Sequence, residues 1–141
     1  MTTPARIFTV EEADSLVEDL EMRLARIQGK KAACERFHDE LFMHELLTQA
    51  DPRSSGYDPG KALDAEAQSL EGLLADLEAE IESLRQTGCI LRSLERGWID
   101  FPARREGGLV YLCWHRGEPR VRYYHSLRSP AAERLVLEKK T

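Results

Sequence analysis

The stretch Phe101–His125, "FPARREGGLVYLCWHRGEPRVRYYH", decides how this chain of 141 residues is read. Aromatic and β-branched residues crowd two runs, Leu109–His115 and Val121–His125, and a third run, Trp98–Ala103, overlaps its start. The turn formers of "RREGG" and "RGEPR" separate them. Short runs of this composition, punctuated in this way, predict an antiparallel β-meander. A fourth strand around Cys89–Leu94 is expected to join it. Pro102 has no N–H to give a ladder and suits an edge position.

The lengths of the two connections suggest a register, with Ala103 opposite Leu109 and His115 opposite Val121. One face then carries Ile99, Phe101, Tyr111, Cys113, Tyr123 and His125, and the other Trp98, Asp100, Leu112, Trp114, Arg122 and Tyr124. The first face is the more apolar and is assigned to the core. The second gathers Trp98, Asp100, Trp114, Arg122 and Tyr124 without a partner inside one subunit. Trp, Tyr and Arg are the usual anchors of subunit contacts, so this face is expected to form a homodimer interface or a ligand platform. Everything here depends on register, because a slip of one residue exchanges the faces.

Upstream, Thr9-Val10-Glu11-Glu12 fits a capping box and opens a helix over Val10–Ala50. Ala13, Leu16, Val17, Leu20, Leu24 and Ile27 repeat with helical period, as do Phe37, Leu41, Leu46 and Leu47 further on. Gly29 predicts a bend or local fraying within this helix, at a cost of about 1 kcal/mol relative to Ala. "DPRSSGYDPG" marks a turn, and Asp58 with Pro59 marks the start of a second helix ending near Gln86. In it Leu63, Ala67, Leu70, Leu74, Leu77, Ile81 and Leu84 form a heptad seam, the mark of a coiled coil. Two such neighbours pack antiparallel. The longer helix overhangs, leaving Ala13, Leu16, Val17 and Leu20 for another element to cover. The expected fold is α+β, a long antiparallel helical hairpin packed on a small three- or four-stranded antiparallel sheet. It is read as a single domain, 1–141, with the hairpin over 9–87, the meander over 88–126 and a C-terminal tail over 127–141.

The formal net charge of −5 conceals an asymmetry. Residues 1–87 hold 9 Lys and Arg against 19 Asp and Glu, and residues 88–141 hold 11 against 6. The basic half can meet an anion, with Arg104, Arg105 and Arg116 as candidates. An alternative function follows, a binding protein or enzyme for an anionic small molecule using Asp100, His115, His125 and nearby arginines. No nucleic-acid recognition motif is present, so that partner is not indicated. The odd count of cysteines, Cys34, Cys89 and Cys113, predicts neither a disulfide framework nor a zinc ribbon, and it suits a reducing cytoplasm. No run is long and apolar enough to span a bilayer. No cofactor is expected. Glu35 and His38 share a helix face, and His115 and His125 share a sheet face with Cys113. Neither pair completes a ligand set, since helix two has no histidine and His125 falls opposite Tyr111 instead of Cys113.

The helix opening "RIFTVEEADSL" and the run "GCILRSLERGWIDFPARREGGLVYLCWHRGEPRVRYYH", from Gly88 to His125, resemble the bacterial family catalogued as domain of unknown function 2203. "DFPARREG", "VYLCW" and "GEP" carry the likeness. It implies a cytoplasmic bacterial protein of helical-hairpin-plus-sheet form, with no established activity. The family's Arg-bearing, Gly-Phe-containing tail is replaced here by "SLRSPAAERLVL".

Overall fold

In the computed structural model, residues 6–50, 59–128 and 133–137 are described, those of 48–50 and 59–63 by their backbone alone. Helix α1 spans Val10–Ala50 and α2 spans Pro59–Arg85. The capping box forms as expected. The Glu12 N–H donates to Thr9 Oγ1 at 3.0 Å, and the Thr9 N–H donates to the Glu12 carboxylate at 3.2 Å. These bonds satisfy two of the donors that a helix start leaves without partners. α1 stays helical through Gly29, without local fraying. Pro59 takes the first position of α2, while Asp58 lies outside the described residues.

The chain divides into two compact units, residues 27–80 and the remainder. Within 27–80 the two helices run antiparallel. Lys30 meets Glu80 at 3.5 Å and His44 meets Glu66 at 2.7 Å, so rising numbers on one helix face falling numbers on the other. Cys34 is buried between them, Leu70 and Leu77 are half-buried, and Leu74 is exposed.

The other unit contains a five-stranded antiparallel sheet in chain order: β1 (Ile90–Ser93), β2 (Trp98–Arg105), β3 (Gly108–His115), β4 (Tyr123–Ser126) and β5 (Leu135–Val136). The tail thus adds a strand beyond the three or four expected. β3 and β4 pair as expected, with Cys113 opposite Tyr123 and Tyr111 opposite His125. β2 and β3 do not. Arg105 pairs with Gly108, which places Ile99 opposite Trp114 and Asp100 opposite Cys113. The connection is a two-residue turn, Glu106-Gly107, with both residues at positive φ (52° and 81°). That is the type I′ geometry whose twist matches a hairpin. The expected five-residue loop therefore shrinks to two, and the register shifts by one.

The shift leaves Ile99 and Phe101 on the core face, as expected, but turns β3 and β4 over relative to them, so Tyr111, Cys113, Tyr123 and His125, expected in the core, lie on the opposite face. Ile99, Phe101 and Ala103 join Leu112 and Trp114 as a buried apolar face, and Ala13, Val17, Leu20 and Leu24 of α1 are buried with them. Phe8 lies edge-on to Phe101 at 5.1 Å, and its N–H donates to the Pro102 carbonyl at 2.7 Å. The Val121 N–H donates to Asp14 at 2.6 Å, fastening α1 to the chain just before β4. The overhanging part of α1 is therefore covered by the sheet, as expected, each large side chain contributing about 1.5–3 kcal/mol. Pro102 lies in an inner strand, yet β1 pairs only with Trp98–Asp100, and beyond it Phe8 bridges Ala103 and bonds only the Pro102 carbonyl, so no N–H is asked of Pro102.

Candidate metal centre

The observed register brings Tyr111, Cys113 and His115 of β3 and Tyr123 and His125 of β4 to the sheet face opposite α1, beside Trp98, Asp100 and Pro102 of β2. Asp100 is the direct cross-strand partner of Cys113, and His125 is the diagonal neighbour of Cys113. Diagonal pairs on one face lie within reach of long side chains. One ligand atom each from Asp100, Cys113 and His125 comes within 4.8 Å of the other two, and all three residues are buried.

Their hydrogen bonds restrict the chemistry. His125 Nδ1 lies 3.0 Å from the Ser126 carbonyl, which only accepts, so Nδ1 carries a proton. Nε2 faces Asp100 Oδ2 at 2.9 Å, and that oxygen also accepts from Arg92 Nε at 2.7 Å. The lone pair of a neutral imidazole would there confront an anionic oxygen, so a positive centre must lie between them. A proton supplies it, and so does a metal ion. A proton leaves Asp100 Oδ1 unexplained, because this second oxygen is buried without a hydrogen-bond partner among the described residues. A buried polar atom of this kind costs about 1–3 kcal/mol if nothing meets it.

Cys113 completes the group. Burial, with the Asp100 carboxylate alongside, pushes its thiol up to about 12. That rules against a free nucleophile, whereas a bound cation would draw off the proton. His115 Nε2 approaches Cys113 Sγ at 3.5 Å. The other nitrogen of His115 faces Arg134 Nη1 at 3.1 Å, and a guanidinium only donates, so Nδ1 is the acceptor and Nε2 carries the proton. Burial and then the Arg134 charge hold His115 below the usual imidazole range, with Glu118 opposing. Arg134 also donates to the Cys113 carbonyl at 3.3 Å and to Glu118 at 2.6 Å, and lies 3.8 Å over the Tyr123 ring. Trp98 stacks on His115 at 4.5 Å, and Arg92 covers Tyr111 at 4.7 Å. The cluster is roofed by these side chains.

Several expected site residues are redistributed. Trp98, Asp100, Trp114, Arg122 and Tyr124 do not share an exposed face: Trp114 and Asp100 are fully buried, on opposite sides of the sheet. The Trp114 indole donates to the Glu118 carbonyl at 2.9 Å, which is an intrachain role. The single-face contact surface drawn from the expected register is thereby corrected. Arg116 pairs with Glu21 at 3.3 Å, while Arg104 and Arg105 line a separate cleft. Glu35 and His38 are exposed on α1, where Lys31 holds Glu35 at 2.6 Å and His38 lies 3.7 Å from Asp39. Asp100 and His125 meet directly, and His115 lies beside Cys113, the cross-strand partner of Asp100. Arg92 and Arg134 were missed. Arg92 lies two residues from Ile90, the partner of Asp100, so it is the β1–β2 register that places it beside the carboxylate.

Fold and site together define an α+β protein with a buried Asp/Cys/His cluster on one face of a five-stranded sheet. The chain belongs to the family described as "Uncharacterized conserved protein (DUF2203)", whose model matches residues 6–137. No curated protein and no solved structure matches it.

Proposed function

We propose that this is a metal-binding protein in which Asp100, Cys113 and His125 hold one divalent transition ion, zinc foremost. The observation that carries the reading is the buried Asp100 Oδ1, without a hydrogen-bond partner among the described residues, in a group that also offers a thiol and an imidazole. A mixed S, N and O donor set suits zinc, whose tetrahedral ligands stand about 3.3–3.6 Å apart, so the group needs only a modest contraction. The Ser126 carbonyl on His125 Nδ1 is the kind of outer partner that fixes the tautomer of a ligating histidine. Three protein ligands leave a fourth position open, the pattern of catalytic zinc sites. His115, beside Cys113 and with its proton on Nε2, is the side chain placed to donate a hydrogen bond to what enters it. The reducing cytoplasm is the compartment that keeps Cys113 available as a ligand.

The test is a cobalt(II) titration of the metal-free full chain. One equivalent should bind and give a thiolate-to-cobalt absorption band, which Cys113→Ser abolishes and Cys34→Ser preserves. Thermal denaturation should rise with zinc, a ligand at about 100 times its dissociation constant adding about 2.7 kcal/mol. Absence of stoichiometric binding, or an unchanged band in Cys113→Ser, refutes the assignment.

A further inference from the structure

Away from the cluster, a cleft of about 610 Å³ opens where the segment before α1 meets the end of β2 and the approach to β4. Its apolar floor includes Phe8 and Val121, which are 2% and 3% exposed. Four arginines are among its lining residues, Arg104, Arg105, Arg120 and Arg122. Arg105 is placed by stacking 4.5 Å over Tyr124. The other three are exposed and have no ion-pair partner among the described residues.

Two acids share the lining, Glu11 and Asp14, and Asp14 already accepts the Val121 N–H at 2.6 Å. Positive charge therefore exceeds negative in this cleft, although the whole chain carries −5. Thr9, Val10 and Glu11, at the start of α1, form part of the wall, and the positive end of the helix dipole adds to the same potential. These arginines, around an apolar floor, gain most from an anion that carries an apolar body.

We propose that this cleft binds a small organic phosphate, its dianionic head met by Arg104, Arg120 and Arg122 and its apolar body laid on Phe8 and Val121. Guanidinium forks match phosphate oxygens in pairs of charge-assisted hydrogen bonds, and a dianion answers several arginines where a single carboxylate answers one. The volume falls within the range of small-molecule pockets. The cleft stands on observations independent of the Asp100 cluster.

Hexyl phosphate, inorganic phosphate and hexanol, titrated calorimetrically into the full chain, separate the two halves of the recognition. Hexyl phosphate should bind one equivalent, about tenfold tighter than inorganic phosphate, and hexanol should not bind. The variant Arg104→Gln/Arg120→Gln/Arg122→Gln should lose at least about tenfold in affinity, as expected for removing charged hydrogen bonds. Arg122→Gln alone should weaken binding several-fold, and high salt should weaken it in the unaltered chain, so the proposal stays testable if the triple variant does not fold. Absence of saturable hexyl phosphate binding, or affinity insensitive to both substitution and salt, overturns the site. Equal affinity for the two phosphates overturns the role of the apolar floor.

Discussion

Glu106 is the residue on which the assignment of faces turns. With φ at 52° it occupies the left-handed region, where a side chain beyond Gly, Asn or Asp is strained. Asn-Gly and Asp-Gly are the usual signatures of a type I′ hairpin, and Glu-Gly is not among them, so "RREGG" reads as a longer loop than it forms. Glu106→Asn should stabilise the protein by about 0.5–1 kcal/mol in chemical denaturation, with no change at the cluster. Gly107→Ala should destabilise it even though space around that position is open, because φ is 81°. At the other end of the chain, Glu12 is held below the usual carboxylate range by the backbone N–H of Thr9, then by its hydroxyl and by Arg6. A depressed carboxylate contributes stability above its unfolded value, near 4.5, and loses it as pH falls through the lower folded value. Glu12→Gln should therefore lower the melting temperature at neutral pH, and the gap should close in acid.

At the scale of elements, the sequence made the helices and the second hairpin legible while concealing the first. Thr9 and Glu12 announced the start of α1, and its apolar period announced the face that needed cover. "HRGEPRV" yielded the correct β3–β4 register, which put His125 diagonal to Cys113. The one-residue slip put Asp100 on the face away from Cys113 and His125, and Arg92 stayed hidden because the sequence supplied no register for β1. β5 was hidden for another reason: two residues are too short a run to show a period, and the pairing of Leu135 and Val136 with β4 is a tertiary event. Arg134 fastens this strand by its contacts to Glu118, His115 and the Cys113 carbonyl. Arg134→Ala should raise amide exchange at Leu137, whose N–H donates to the Arg122 carbonyl, before it alters exchange in β2 or β3. Removing Asp100 should be harsher. Asp100→Ala leaves Arg92 and His125 without their shared carboxylate and should cost about 3–5 kcal/mol, more than Arg92→Ala, whose side chain is partly exposed.

For the molecule as a whole, the burial pattern predicts where stability resides. Leu20 is fully buried and Leu74 is 42% exposed, so Leu20→Ala should cost about 2–5 kcal/mol and Leu74→Ala less than about 1 kcal/mol, measured by urea denaturation. The sheet is built from neighbours in chain order, so its hairpins can close from local contacts alone. The α1 stripe has no such advantage. Ala13, Val17, Leu20 and Leu24 leave the ribosome long before Ile99, Phe101, Leu112 and Trp114, the strand residues buried with them. At ordinary elongation rates that delay is on the order of 5–20 s. Throughout it a nascent amphipathic helix presents an oily seam to the cell, and the first chaperone to meet this protein should be found holding that seam.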